Sequence, residues 1–147
     1  MLLEGYQIPP GLAGTTEEDL VGTMYLVSPI FEIDGWDGEY SIVWDWEDTV
    51  RVWTEGGYSI HGLVDFEPCC VVLRHEGESV GFYMDGQCWV DPDHRGRGLA
   101  RAMVVALVAW SRRLPDVKDI GFSEAGYRLH ISALRQITQE AERSPSP

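Results

Sequence analysis

The sequence predicts an α/β protein of the α+β type. A mixed, mostly antiparallel central sheet is flanked by helices, with a meander in the N-terminal half and no strand after the last helix. Three observations predict this. Short β-rich runs separated by glycine and acidic turns fill residues 39–91. The stretch 99–110 is apolar on nearly every face, as in a helix packed on a sheet and covered on its other side. Glu124–Glu142 repeats Tyr127, Leu129, Ile131, Leu134 and Ile137 at helical spacing, the mark of an amphipathic helix.

Taken in order, Thr15-Thr16-Glu17-Glu18 fits a capping box with Thr15 as N-cap, predicting a helix over 16–27 that Pro29 stops. Residues 34–38 are a turn-rich link. Glu39–Trp46, Thr49–Thr54 and Tyr58–Val64 follow as an antiparallel meander. Within it Trp44 and Trp46 alternate with Asp45, Glu47 and Asp48. That pattern suits a strand with its indoles inside, and equally an aromatic pocket with anionic groups. Cys69–Arg74 and Ser79–Met84 form a hairpin. Asp85-Gly86 is a two-residue turn into the short strand Gln87–Asp91. Leu114-Pro115 ends the apolar helix, and Val117–Phe122 reads as a last strand. Its edge needs cover, either from the N-terminal meander or from a second subunit in a homodimer.

At 147 residues the chain is the size of one domain. Residues 1–143 read as that domain and 144–147, Ser-Pro-Ser-Pro, as a disordered tail. No run of some eighteen apolar residues predicts a membrane span, and the start lacks the basic and apolar regions of a secretory signal. Cys69, Cys70 and Cys88 are odd in number and two are adjacent, a poor disulfide framework, so reduced thiols and a cytoplasmic location are expected. His61 and His75 lack partners at metal-ligand spacing, so no metal site is expected.

The densest functional signal is Val90-Asp91-Pro92-Asp93-His94-Arg95-Gly96-Arg97-Gly98-Leu99-Ala100. Here an apolar strand ends, Pro92 breaks it, two glycines free the backbone, and a helix starts at about Leu99. Such a junction leaves unpaired N–H groups at the positive end of a helix dipole, where a phosphate or pyrophosphate binds. Glycines let the backbone approach the ligand, and Arg95 and Arg97 add charge. A dinucleotide fingerprint would need a third glycine where Arg101 stands, and a phosphate-binding loop of the Walker type would need Gly-Lys-Ser/Thr.

The string resembles the pyrophosphate-binding segment of the GNAT superfamily of acyl-CoA N-acyltransferases: a strand ending in Val-x-Pro, then x-x-Arg-Gly-x-Gly, then an apolar residue and Gly or Ala. The order of elements from Cys69 to Phe122 is also similar to the middle of that fold. Two departures are a meander where the family has a strand and two helices, and an end at the fourth helix where the family adds two strands. The resemblance implies acetyl-CoA, or another acyl-CoA, as co-substrate. Cys88, Trp89 and Val90 would pair with its pantetheine arm. The amides of Arg95, Gly96, Arg97, Gly98, Leu99 and Ala100 would cradle its pyrophosphate.

For the chemistry, acetyl transfer to an amine needs a neutral nucleophile, a polarised thioester and a proton for the leaving thiolate. The resemblance implies a Tyr of the fourth helix as proton donor. Tyr127 lies in the matching helix, about a turn early, and His130 sits nearer the expected place. Tyr127 also suits a core position with its hydroxyl at the rim. Asp85 and Glu67 are the candidate bases.

Residues 1–67 hold 14 acids and one base, Arg51, whereas 68–147 hold 10 of each, so the whole net charge of −13 sits in the first half. A solvated acidic surface explains this, as does a field that attracts cations. Either disfavours a nucleic-acid partner, which needs clustered Lys and Arg. The expected activity is therefore transfer of an acyl group to a cationic amine, on a small molecule or on a protein Lys or N-terminus. The alternative is a non-catalytic acidic binding protein of the same fold that takes a basic protein or mimics DNA.

Overall fold

A computed structural model describes residues 3–22, 25–26, 41–117 and 121–143. In chain order the elements are α1 (Glu17–Val21), β1 (Tyr25–Leu26), α2 (Ser41–Trp44), β2 (Thr49–Glu55), β3 (Tyr58–Leu63), β4 (Cys70–His75), β5 (Glu78–Met84), β6 (Gln87–Val90), α3 (Leu99–Ser111), β7 (Gly121–Phe122) and α4 (Glu124–Arg143). Strands β2 to β6 form one antiparallel sheet in sequence order, the arrangement that consecutive tight turns produce. The sheet, α3 and α4 thus meet the expected mixed architecture.

Alternation assigns the two faces. On β4, Val71 and Leu73 face α3, while Cys70 and Val72 face the opposite layer with Val43, Leu63, Phe82 and Met84. Register shifts between Leu73 and Arg74, so Val80 is an extra residue on β5 and joins Tyr83 on the α3 side. Gly81 is required next to it. A Cβ there would lie 2.9 Å from the Trp89 carbonyl oxygen and 3.3 Å from Leu73. Helix α3 runs under the sheet and buries Leu99 and every residue from Ala102 to Ala109. Its approach to β3 is close, since a Cβ on Gly62 would come within 2.5 Å of the Trp110 ring. Helix α4 covers the other side of α3 with Ala133, Ile137 and Ala141. No described helix is long and apolar enough to cross a membrane.

Several local expectations are corrected. The capping box is formed by Thr16 and Asp19: Asp19 N–H donates to Thr16 Oγ1 at 3.2 Å, and Thr16 N–H donates to the Asp19 carboxylate at 2.9 Å. Asp closes the box as well as Glu, so the Thr15/Glu18 frame lost to one a residue later. The predicted helix over 16–27 is only Glu17–Val21, because Gly22 takes a positive φ, and Tyr25–Leu26 are extended. The predicted strand Glu39–Trp46 is also wrong. Ser41–Trp44 is a helical turn that lays Val43 and Trp44 across the far face of the sheet instead of extending it. Glu39, Tyr40, the 34–38 link and Pro29 lie outside the described residues.

The apolar helix stops at Ser111, before Leu114-Pro115, since Arg112 adopts a left-handed conformation. Of the predicted strand Val117–Phe122, only Gly121–Phe122 forms a strand, Val117 is not part of it, and 118–120 lie outside the described residues. That strand pairs in parallel with β1, so its cover comes from the N-terminal segment and not from the meander.

Candidate functional site

Strand β6 is the edge of the five-stranded sheet, and hairpin geometry determines which of its groups are open. Asp91 N–H donates to the Val80 carbonyl at 2.8 Å. In an antiparallel pair the hydrogen-bonded positions alternate, so Trp89 and Gln87 also turn their backbone groups toward β5. Cys88 and Val90 turn theirs to the open edge. Arg95 Nε already donates to the Val90 carbonyl there, at 2.7 Å. The side chains divide accordingly: Cys88 packs toward α3, and Trp89 meets Trp44 on the other face at 5.8 Å between ring centroids. Burial pushes the Cys88 thiol up to about 12, so it remains protonated and unreactive at neutral pH.

Beyond Val90 the chain makes a short turn of 3₁₀ helix, Pro92–His94, with the Asp91 carboxylate accepting from Asp93 N–H at 3.0 Å. His94 Nδ1 lies 2.8 Å from the Tyr58 hydroxyl, and its ring packs beside His75, which ties the loop to β3 and β4. Gly96 and Gly98 have φ of +80° and +75°, conformations that L side chains rarely adopt. The space a Cβ would take at Gly96 is empty, and at Gly98 only the Arg101 guanidinium comes within 4 Å.

Helix α3 begins at Gly98 without a side-chain cap and with no acid in its first turn. Its first internal bond is Ala102 N–H to the Gly98 carbonyl, so the amides of Leu99, Ala100 and Arg101 have no intrahelical acceptor. Arg97 and Arg101 stand at this positive end, where the dipole opposes them. Uncapped amides, two cations and open space together fit an anionic group such as a pyrophosphate.

The candidate acid–base residues are dispersed. Tyr127, in the first turn of α4, is half-buried against the apolar cluster that includes Val117, Phe122, Ile131 and Leu134. His130 is wholly buried. Its Nδ1 is 2.7 Å from the Gly126 carbonyl and must carry the hydrogen, so Nε2 accepts from the Tyr83 hydroxyl at 2.7 Å. Burial holds its pKa below the usual histidine value, and the imidazole is neutral. Asp85 closes the β5–β6 turn and is held by Arg113 at 3.2 Å and by Asp116 N–H at 3.4 Å. Glu67 is exposed in the β3–β4 connection, at the same end of the sheet as Asp85. Asp45, Glu47, Asp48, Glu55 and Asp65 are exposed as well. Among the described residues, no group of three His, Cys, Asp or Glu comes together as metal ligands.

Sequence reasoning passed over Arg101, Trp53, Tyr58 and Gln136, which stand around the same helix end. An arginine in a first helical turn, against the dipole, was the available signal for the first of them. The other three arrive from distant elements.

A family model of the GNAT acetyltransferase family matches residues 23–127, more than two thirds of the chain. The protein belongs to the GNAT acetyltransferase family. The match spans the five-stranded sheet, the glycine loop and α3, and ends at Tyr127, so most of α4 lies outside it. Membership supports an acyltransferase of the acyl-CoA-dependent class. No curated protein and no solved structure matches the chain closely enough to narrow the assignment further.

Proposed function

We propose that this GNAT protein transfers an acyl group, acetyl in the first instance, from acyl-CoA to the primary amine of a cationic acceptor. The observation that carries the reading is the continuity of two open features: the edge of β6, with the outward backbone groups of Cys88 and the Val90 N–H facing away from β5, and the uncapped, arginine-flanked start of α3. Acyl-CoA, when bound, supplies an activated thioester. The chain's own contribution is to hold it. Amides from Gly96 to Ala100 meet the pyrophosphate, and the outward backbone groups of Cys88 and the Val90 N–H pair with the pantetheine arm.

Tyr127 serves as the proton donor to the leaving thiolate in this reading, because its side chain is only half-buried while both nitrogens of His130 are engaged in the core. Asp85 is committed to Arg113, which leaves Glu67 as the base in this reading. The fourteen acids of residues 1–67 draw in a cation and hold an approaching ammonium in its charged form.

Two consequences test the proposal. Turnover rises with pH through the neutral range as the acceptor amine is freed, and acceptor KM rises with ionic strength as the field is screened. A thioester-release assay across cationic, neutral and anionic amines checks both. A best acceptor that is uncharged or anionic, with no salt effect, would leave the acids as surface solvation. Acyl-CoA binding with no turnover on any amine would favour the non-catalytic binding protein.

A further inference from the structure

The sheet end nearest the glycine loop gathers two imidazoles and a phenol from three parts of the chain. Tyr58 opens β3 and stands directly across from His75 at the end of β4, and alternation turns both to the α3 side with Ile60 and Leu73. Their rings stack with centroids 4.4 Å apart. His94, from the loop, completes the group: its ring centroid is 5.0 Å from that of His75, and its Nδ1 lies 2.8 Å from the Tyr58 hydroxyl. All three residues are half-buried. Apart from that one contact, the ring nitrogens of His75 and His94 have no hydrogen-bond partner among the described residues. Beside His75 Nε2 stands Gly57, whose missing Cβ would be 3.7 Å away, so no side chain at that position covers the nitrogen.

We propose that His75 and His94 bind one divalent transition-metal ion between them, at a site independent of the acyl-CoA reading. In the sequence His75 has no ligand partner at short spacing, and the fold supplies one from the loop. Neutral imidazole suits Zn²⁺, Cu²⁺ and Ni²⁺, whereas Mg²⁺ and Ca²⁺ prefer oxygen. Two imidazoles that share one tetrahedral Zn²⁺ at about 2.0–2.1 Å place their ring centres about 5 Å apart, the separation found here. In the ligating tautomer His94 donates its Nδ1 hydrogen to the Tyr58 oxygen and turns the Nε2 lone pair to the metal. Ligating histidines are commonly oriented by such an outer partner. Water fills the remaining positions of the ion. Glu55, Glu76 and Glu78, exposed at the neighbouring strand ends, supply a negative field that favours a cation. The ion joins β4 to the loop and restrains the backbone just ahead of Gly96 and Gly98.

Calorimetric titration of the full chain with Zn²⁺, beside Mg²⁺, tests the assignment. The parent should take up one equivalent of Zn²⁺ with saturation and show no matching event with Mg²⁺. His75→Gln and His94→Gln should each remove that event. Tyr58→Phe, which keeps the ring and removes the outer partner, should weaken Zn²⁺ by about tenfold. A second readout is the histidine ring signals in NMR, of which the chain has four. Zn²⁺ should shift those of His75 and His94 and leave those of His61 and His130 in place. Zn²⁺ binding that survives both His→Gln changes would overturn the site by assigning the ion to other groups, the three cysteines among them. Mg²⁺ binding as tight as Zn²⁺ would overturn it in favour of the carboxylates, and no saturable Zn²⁺ binding by the parent would overturn it outright.

Discussion

Two helix starts in this molecule show opposite solutions to one problem. Each helix opens with N–H groups that have no partner inside it. Helix α1 supplies its own: Thr16 and Asp19 close a reciprocal box, and Glu17, Glu18 and Asp19 complement the dipole. Helix α3 has Gly98 without a cap, no acid in its first turn, and Arg97 and Arg101 where the dipole disfavours cations. The first start contributes to stability. The second leaves stability unclaimed and keeps its amides and charges for something brought from outside. In a chain with more than twice as many acids as Lys and Arg, an end without acids stands out. The contrast separates a structural terminus from a ligand-holding one.

The strongest way to break the contrast is Gly98→Glu, which puts a side chain and a negative charge where an anion should lie. Calorimetry should show acyl-CoA affinity falling by about a hundredfold or more, since a strained backbone, blocked amides and charge repulsion act together. Unchanged affinity would make the α3 start an ordinary turn.

A second test asks whether chemistry is set apart from holding. Tyr127→Phe should lower turnover by roughly tenfold or more with a much smaller change in acyl-CoA affinity, as expected for a lost proton donor. Full activity in that variant would move the proton elsewhere, with the Tyr83–His130 pair next in line.

The third concerns pH and stability, independent of either helix start. Burial holds His130 below its ordinary value, and burial first, then Arg74 and Arg51, bring His61 down to about 4. Both folded pKa values lie below the unfolded value of 6.5, so the unfolded chain binds more protons on acidification. Stability from these groups is complete above 6.5 and is lost as pH falls through the window from 6.5 toward 4. Urea midpoints measured across that window should decline. His130→Gln and His61→Gln should each flatten the decline, and a midpoint independent of pH would count against both.

The smallest effect is expected at the self-capped end. Thr16→Ala should cost about 1 kcal/mol of stability and leave acyl-CoA affinity unchanged. A loss of ligand affinity there would erase the distinction between the two starts.

Much of the second half was legible because its signals are local. The Glu76–Gly77 and Asp85–Gly86 turns set the β4–β5–β6 hairpins within a residue or so of their predicted bounds. Leu99 to Ser111 is helical, one residue beyond the 99–110 stretch that is apolar on nearly every face, and α4 spans the predicted amphipathic stretch with one more residue. The glycine loop was legible for the same reason: Pro92, Gly96 and Gly98 impose backbone torsions that depend on no distant partner.

The first half was less legible. Residues 41–44 have the β-branched and aromatic composition of a strand, yet they form a helical turn because Val43 and Trp44 gain more by packing on Val72, Phe82 and Trp89. Tyr25–Leu26 looked like the tail of a helix, and a parallel partner almost a hundred residues away made it a strand.

By itself the sequence determined the phosphate-loop geometry, the hairpin order, the two long helices and hence the family, since each follows from torsional limits, turn chemistry or short-range periodicity. Tertiary structure alone decided four further features. It sealed His130 between Tyr83 and Gly126, and it turned Cys88 and Val90 toward the open edge. It covered β7 with β1, and it walled a cavity at the α3 start with Trp53, Tyr58 and Gln136. The physical reason is range. A backbone torsion is a property of its own residue, whereas burial, pairing and the supply of a hydrogen-bond partner depend on what the rest of the chain brings alongside.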